Sequence, residues 1–358
     1  MLSRIAENLY WMGRYVERAE NTARLLDVNY HALMEAPLVT EGRGIVTEQW
    51  APLLNIMDDE ATFRRFNDRA DANSVPNWMT VSNDNPSSIR SSLSQARENA
   101  RALRNLISTE MWEMLNRTYL ELCTNAVESL EEDSLHDYCT STREASHLFF
   151  GIADATLSRD LGWYFIRLGQ YLERSDNTIR TLMVRYRQYQ GQAPVAEGIE
   201  LHRGMALLKS LSAYEAFRRE YHKGLAPAPI AEFLLLNPDF PRSVRYSIRV
   251  VSDILSEIAE RNPGTTTEPR RRAGWLSARL EYLKDATPIT QDEAPSLEDL
   301  LVALADISDA VSAAYFAQAS SQAQFQAQSQ TSSSGSQSQS QSQEGSGSQS
   351  QSQSQNSR

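Results

Sequence analysis

The sequence predicts an all-α protein: a helical bundle built from two tandem repeats related by an approximate twofold axis, with a disordered C-terminal tail. A motif occurs twice, as YVERAENTARLL at residues 15–26 and as YLERSDNTIRTL at residues 171–182. Long segments place apolar side chains at helical spacing and show few features of strands. From residue 318 onward the composition changes to repeated Gln and Ser.

The repeat extends beyond this motif. Leu53-Leu54 and the downstream FRR at 63–65 match Leu207-Leu208 and the FRR at 217–219, and PSSIRSS at 86–92 matches PRSVRYS at 241–247. Three blocks in one order at nearly constant spacing indicate a tandem duplication. The predicted units are residues 1–154 and 155–317. Because the junction at 155–159 (ATLSR) contains no Gly or Pro, we expect the units to pack together as one body.

Helical spacing without internal proline defines the expected helices in order along the chain. They are residues 2–35, 88–130, 134–155, 157–190, 242–261, 270–285 and 296–317. Prolines lie between these segments, as expected of helix breakers. Pro86 and Pro241 occupy equivalent turns, each of which is expected to start a core helix. Ser296 is the predicted N-cap of the last helix.

The tail, residues 318–358, has almost no apolar side chains. Such a segment cannot bury enough surface to offset its conformational entropy, so it is predicted to be disordered. It either keeps the protein soluble or presents glutamines for modification or for a partner.

The overall composition excludes some functions and indicates a compartment. A net charge of −11 over 358 residues argues against general nucleic-acid binding, which needs positive potential. The two cysteines, Cys123 and Cys139, are expected to be reduced and buried, as in a cytoplasmic protein. Charged residues interrupt any N-terminal apolar stretch, and no run is long enough for a membrane span.

The first copy of the motif carries two faces on a helical wheel. One is an apolar arc expected to face the core, made of Trp11, Met12, Tyr15, Val16, Ala19, Ala23 and Leu26. The other, here called the polar stripe, follows the i, i+3, i+7, i+10 spacing that aligns side chains. Its members are Arg14, Glu17, Asn21 and Arg24 in the first copy and Gln170, Glu173, Asn177 and Arg180 in the second. Arg18 and Arg174 lie at the edge of the stripe.

Because Glu, Asn and Arg recur in both copies, we expect a defined hydrogen-bond network in which Arg binds Glu bidentately. In one interpretation the network is internal and locks the two helices together, or locks them against Arg90 and Arg245. In the other, the two stripes face a shared groove and bind a polar ligand or peptide.

A second polar cluster, Arg97, Glu98 and Arg101, is only weakly repeated in the second unit. It is either a site of asymmetric function or a solvated face on which Glu98 pairs with Arg101.

The common signatures of enzymes and metal sites are missing from the sequence, so no catalytic residue, cofactor or metal is predicted. Glu144 and His147 have the spacing of half a di-iron site, but no second half exists. His147 is therefore interpreted as a core histidine. The remaining histidines, His31, His136, His202 and His222, show no ligand spacing. Cys139 beside His136 is only weak evidence for a nucleophile and base.

With Gly13, Tyr15, Glu17-Arg18, Glu20-Asn21-Thr22 and Arg24, and with the second Glu-Arg at 173–174, the chain resembles the Alpha-E family. The opening residues 1–15, the segment ARENAR at 96–101, and Trp112-Glu113 with Asn116 are also similar to that family. The resemblance covers residues 1–317. It implies an all-helical, tandemly duplicated domain for which no catalytic residues are established.

The resemblance also implies partners: circularly permuted ATP-grasp ligases, transglutaminase-like proteins and NTN-type peptidases of bacterial peptide synthesis or modification systems. The first hypothesis is a non-catalytic accessory protein that binds the ligase or its peptide substrate. The alternative is an enzyme that uses Glu17 and Glu173 for acid–base chemistry on an amine or carboxylate. A metal–carboxylate bundle is a third hypothesis, for which the sequence supplies no obvious ligand set.

Overall fold

The structure is a computed structural model that describes residues 3–35, 50–124, 132–190, 197–221, 224–283 and 296–316. These ranges form α-helices joined by turns and contain no strand, so the predicted fold class is confirmed at that level. None of the helices within them is both long enough and apolar enough to cross a membrane. The tail predicted for residues 318–358 lies outside the described residues.

The helices of the described residues are numbered here in chain order. They are α1 (Ser3–Glu35), α2 (Ala51–Ile56), α3 (Glu60–Phe63), α4 (Ser74–Thr80), α5 (Ile89–Ala102), α6 (Thr109–Tyr119), α7 (Glu132–Thr156), α8 (Leu161–Gln190), α9 (Glu197–Ser210), α10 (Tyr214–Glu220), α11 (Pro227–Leu236), α12 (Val244–Arg261), α13 (Glu268–Glu281) and α14 (Leu297–Tyr315). A π-helical turn, Leu120–Thr124, extends α6.

Helices α1 and α8 form the centre of the bundle. Helix α1 packs against α8, α5 and α7, and α8 packs in addition against α12 and α14. Side-chain contacts between α1 and α8 follow the same order along both helices, from Glu17 with Arg174 to Asn29 with Arg185, so the two helices run parallel. A helix enclosed on several sides keeps few side chains in contact with water, and the buried polar residues on it must therefore find partners in the protein.

The hydrophobic core has two parts. The larger part contains residues from both predicted units, such as Met12 and Phe149 from the first and Ile166 and Ile248 from the second. The smaller part lies around the C-terminal half of α1 and includes Leu26, Phe63 and Trp78. Since the larger cluster spans residue 154, the predicted unit boundary does not coincide with a gap in the core.

The repeated proline turns start helices as predicted. Ser88 and Ser243 are the N-caps of α5 and α12, and each hydroxyl accepts a hydrogen bond from the backbone N–H three residues later. Such caps satisfy N–H groups that have no partner inside the helix. Ser296 is the N-cap of α14, as predicted, and forms a capping box with Asp299.

The single helix predicted over residues 88–130 is wrong. Helix α5 ends at Ala102, a turn follows, and α6 begins at Thr109 with Ser108 as its N-cap. The Ser108 hydroxyl accepts from the N–H of Met111, which provides a new helix start without any proline or glycine. Residues 125–130 of the predicted helix lie outside the described residues.

Candidate functional site

The two Glu-Arg pairs of the repeated motif bind each other across α1 and α8. Glu17 Oε1 and Oε2 accept from Arg174 Nε and Nη2 at 2.6 and 2.9 Å. Glu173 Oε1 and Oε2 accept from Arg18 Nε and Nη2 at 2.6 and 3.1 Å. Both pairs therefore have the bidentate geometry of strong guanidinium–carboxylate interactions. Glu17 is 1% exposed and Glu173 7% exposed, so both carboxylates are inside the bundle.

Position 14 of the stripe and its equivalent, position 170, add a second donor to each carboxylate. Arg14 Nε donates to Glu173 Oε2 at 2.7 Å, and Gln170 Nε2 donates to Glu17 Oε2 at 3.1 Å. The change from Arg to Gln thus keeps the same type of contact. The stripe residues at these positions face the opposite helix, as the internal-network interpretation expects.

Two glycines allow α1 and α8 to approach closely enough for these contacts. A Cβ atom on Gly13 would collide with the backbone carbonyl of Ile166, and one on Gly169 would collide with that of Tyr10. Both glycines lie about one turn before a Glu-Arg pair. The close backbone contact therefore fixes the distance over which each carboxylate reaches the guanidinium on the other helix.

Arg242 joins the network and was missed by the sequence analysis. Its Nη2 donates to Glu20 Oε2 at 2.7 Å, and its Nη1 donates to Asn21 Oδ1 at 2.8 Å. Glu20 also accepts from Arg24 Nε at 2.8 Å. The equivalent position in the first unit holds Ser87, so comparison of the repeats could not reveal this arginine.

The ion pairs fix the charge state of the buried carboxylates. Burial alone would raise the pKa of Glu173, but the guanidiniums of Arg18 and Arg14 lower it to about 2. Burial opposes ionisation of Glu20 too, and Arg242, His147 and Arg24 hold its pKa well below its usual range. A carboxylate that stays ionised and paired at neutral pH is a poor proton donor. The geometry therefore does not favour acid–base chemistry at the stripe.

The low pKa of Glu173 predicts acid sensitivity. Because the folded-state pKa is about 2 and the ordinary value is 4.5, this pair stabilises the fold above pH 4.5. That contribution, up to about 3 kcal/mol, is lost as the pH falls from 4.5 toward 2. Urea unfolding at pH 7 and at pH 3 should show a smaller pH-dependent loss for Glu173→Gln than for wild type. Exposed Glu113→Gln should retain the wild-type loss, and an equal loss in all three proteins would contradict the prediction.

Arg90 and Arg245 do not contact the polar stripe, contrary to one of the expected arrangements. Arg90 donates to the carbonyl of Cys123, at 2.6 Å from Nη2, and to that of Val81. Arg245 donates to the carbonyl of Leu236. Helix and turn ends leave carbonyls without intrahelical partners, and these arginines satisfy them. Their role is therefore to hold turns against α5 and α12.

The second polar cluster is a solvated face with internal pairing. Arg101 Nε donates to Glu98 Oε2 at 2.8 Å, and both side chains are exposed. Arg97 bridges α5 to α6, donating to Asn116 Oδ1 at 2.9 Å and lying over the ring of Tyr119. This is the solvated-face alternative, in which ion pairs contribute little to stability.

The far end of the stripe borders a cleft. Arg180 donates to Asp176 Oδ2 at 2.7 Å and lies 3.3 Å from Asp58 Oδ2. Asn177, which precedes Arg180 by about one helical turn, is partly buried. The cleft has a volume of about 670 Å³ and lies between α2, α8 and α14. Its lining residues are Pro52, Asn55, Asp58, Arg180, Met183, Val184, Glu298, Leu301 and Val302. Of the predicted stripe residues, Arg180 is therefore the one that reaches this cleft.

The histidines differ from expectation in two respects, whereas the cysteines are buried as predicted. His147 is exposed on α7, not in the core, with its Nε2 3.6 Å from Glu20 Oε1. His136 contacts Asp27 and His31 and was not predicted to contact either. Cys139 is buried, and burial raises its pKa, so it is not an activated nucleophile.

Comparison with known proteins agrees with this architecture. Residues 1–316 match the model of the Alpha-E family, described as a predicted alpha-helical domain with a conserved ER motif. Uncharacterized proteins of Mycobacterium bovis and Mycobacterium tuberculosis are each 28% identical over 339 residues. These matches cover 88% of the chain, which spans 37% of each relative's length. No solved structure matches. With its two ER motifs at 17–18 and 173–174, the chain belongs to the Alpha-E family.

Proposed function

We propose that the protein is a non-catalytic helical accessory protein of a bacterial peptide synthesis or modification system. Its proposed partners are a circularly permuted ATP-grasp ligase, a transglutaminase-like protein, or both. The observation that carries the proposal is that the two Glu-Arg pairs bind each other inside the bundle. A motif occupied in this way builds a rigid scaffold and leaves recognition to other surfaces.

The proposed scaffold consists of two seven-helix units related by an approximate twofold axis. Among the described residues, α1–α6 precede the predicted boundary at residue 154, α7 ends just beyond it at Thr156, and α8–α14 follow it. Equivalent positions support this arrangement: Gly13 and Gly169 make the same type of close contact. Asp58 and Ser212 both adopt left-handed backbone conformations at equivalent turns. Such pairing is expected of a duplicated domain that packs on itself.

The cleft between α2, α8 and α14 is the proposed surface for the partner or its peptide. It combines apolar side chains, including Leu301 and Val302, with the charges of Arg180, Asp58 and Glu298. Val302 is 61% exposed, so its apolar side chain is accessible to a partner that enters the cleft. A groove that combines apolar side chains with charges of both signs offers contacts for the side chains and the backbone of an extended peptide segment.

One further feature supports the accessory role, and another supports the proposed location. In the mycobacterial relatives the matched region is 37% of the chain, so it occurs there as part of a longer polypeptide. The cysteines Cys123 and Cys139 are free and buried, which fits the proposed cytoplasmic location.

Affinity capture from the native cells, followed by mass spectrometry, tests the proposal. Tagged wild-type protein is expected to recover an ATP-grasp ligase or a transglutaminase-like protein. Val302→Glu, which places a charge on the apolar side of the cleft, is expected to reduce that recovery at least tenfold.

Leu148→Glu is the matched control, because Leu148 is also an exposed aliphatic residue but lies on α7, outside the cleft. Circular dichroism should show that all three proteins are folded. If wild type recovers neither class of partner, the accessory role is wrong. If Val302→Glu recovers the partner as well as wild type does, the partner binds elsewhere.

A further inference from the structure

Asp27, His31 and His136 bring three ligand atoms together at the interface of α1 and α7. Asp27 and His31 are one turn apart on α1, and His136 is in the first part of α7. Asp27 is buried, whereas the side chains of His31 and His136 are 52% and 54% exposed. The cluster is therefore fixed at its carboxylate and open to solvent at its imidazoles.

The spacing of the three atoms fits a metal ion. Asp27 Oδ1 lies 2.7 Å from His136 Nδ1 and 3.5 Å from His31 Nε2, and the two nitrogens are 3.3 Å apart. Ligands of a tetrahedral zinc ion are about 3.3 Å from each other when each is about 2.0–2.1 Å from the metal. Two of the three distances already match, and the third requires His136 to move by about 0.6 Å.

The surroundings of Asp27 leave one of its oxygens available. Arg143 Nη2 lies 3.4 Å from Oδ2, while Oδ1 faces the two histidines. A group that holds the second oxygen of a ligating carboxylate orients the first one toward the metal. The cluster is also specific to the first unit, because Met183 occupies the position equivalent to Asp27 in the second.

The ligand types select the class of ion. Two imidazoles and one carboxylate suit zinc and other late divalent transition metals, whereas magnesium and calcium prefer oxygen ligands. Three protein ligands leave a fourth position for water or for a side chain of a partner.

We propose that Asp27, His31 and His136 form a zinc-binding site that cross-links α1 and α7. In the ion-free protein, His136 Nδ1 donates its proton to the Asp27 carboxylate, because the carboxylate can only accept. When zinc binds Nδ1, the neutral imidazole carries its proton on Nε2 instead, after exchange with water. The site is independent of the cleft and of the proposed partners.

Calorimetric titration of the chelator-treated full-length protein with zinc chloride tests the site. Wild type is expected to bind one zinc ion, and His31→Ala/His136→Ala is expected to bind it with an affinity at least tenfold lower. Zinc should raise the melting temperature of wild type and leave that of the double variant unchanged. Titration with cobalt(II) should give the visible absorption of a bound ion in wild type alone.

His147→Ala is the control, because His147 is another exposed histidine on α7. It lies beside Glu20 and not beside Asp27, His31 or His136. It should bind zinc as wild type does. Asp27→Asn, which keeps the side-chain shape, should also weaken binding. Equal zinc affinity in wild type and the double histidine variant would overturn the proposal, as would a wild-type protein that binds no zinc at micromolar concentrations.

Discussion

Arg174→Met is expected to lower the free energy of unfolding by about 3–5 kcal/mol, the range for removal of one partner of a buried ion pair. Glu17 would lose both bonds from Arg174. It would keep Gln170 as a donor at 3.1 Å, and Arg242 Nη1 would remain 3.5 Å from its Oε1. Its carboxylate is almost inaccessible to water, so hydration cannot replace the lost bonds. Urea unfolding should show a lower midpoint at an unchanged slope.

Arg271→Met is the matched control for this substitution. Arg271 also pairs with a glutamate, Glu268, but its side chain is 69% exposed. Exposed pairs contribute about 0–1 kcal/mol, so the control should remain close to wild type. The double variant Glu17→Gln/Arg174→Met should be more stable than Arg174→Met, because it no longer buries a carboxylate that has lost its bidentate partner. Similar losses in Arg174→Met and Arg271→Met would refute the structural role assigned to the motif.

How far the sequence predicts this site depends on which residues are considered. The Glu-Arg pairs at 17–18 and 173–174 were identified because they recur, and bidentate pairing follows from the chemistry of the two side chains. That the stripe is buried does not follow from a helical wheel, which separates polar and apolar faces of one helix. Helix α1 is covered by α5, α7 and α8, so its polar face is also inside the protein.

Some residues of the site were not predicted from the sequence because they reach it from distant segments of the chain. Arg242 reaches Glu20 from a turn 222 positions along the chain, and His136 reaches Asp27 from 109 positions away. Neither spacing corresponds to a period of helix or strand. Asp27 and His31 are neighbours at i and i+4 on one helix, but this pair was not predicted from the sequence.

The fold was predicted most accurately where helices are long and bounded by strong signals. Ser88 and Ser243 follow repeated prolines, and both start helices. The break between α5 and α6 has no proline or glycine and depends on Ser108, one serine among many. The short helices α2–α4 and α10 were not predicted, because segments of this length carry too few residues for a clear period. Helices α9 and α11 were not predicted either.

Gly13→Ala is expected to destabilise the protein by about 3 kcal/mol or more, above the usual range for an overpacked core. The new methyl group would meet the carbonyl of Ile166, which is backbone and cannot rotate away. Helices α1 and α8 would have to separate, which would lengthen the Glu-Arg contacts next to the crossing. Gly169→Ala should have a similar effect, because its methyl group would meet the carbonyl of Tyr10. Chemical denaturation measures both losses.

Gly151→Ala is the control for Gly13→Ala, and it is not expected to destabilise the protein. Gly151 is also within a helix, α7, but a Cβ atom there would have no neighbour within 4 Å. Alanine is favoured over glycine in helices by about 1 kcal/mol, so this variant should be as stable as wild type or more stable. If Gly13→Ala and Gly151→Ala had the same effect on the free energy of unfolding, helices α1 and α8 would not approach each other as closely as described.

A double-mutant cycle links the glycine contact to the ion pairs. If the separation caused by Gly13→Ala already weakens the bonds between Glu17 and Arg174, then Arg174→Met should cost less in the Gly13→Ala background than in wild type. Residues that act through one interface typically show such coupling, on the order of 0.5–3 kcal/mol, whereas independent sites add. Additive losses would mean that the glycine contact and the Glu-Arg pairs stabilise the bundle separately. Coupled losses are expected, because each Glu-Arg pair lies about one turn beyond its glycine on the same two helices.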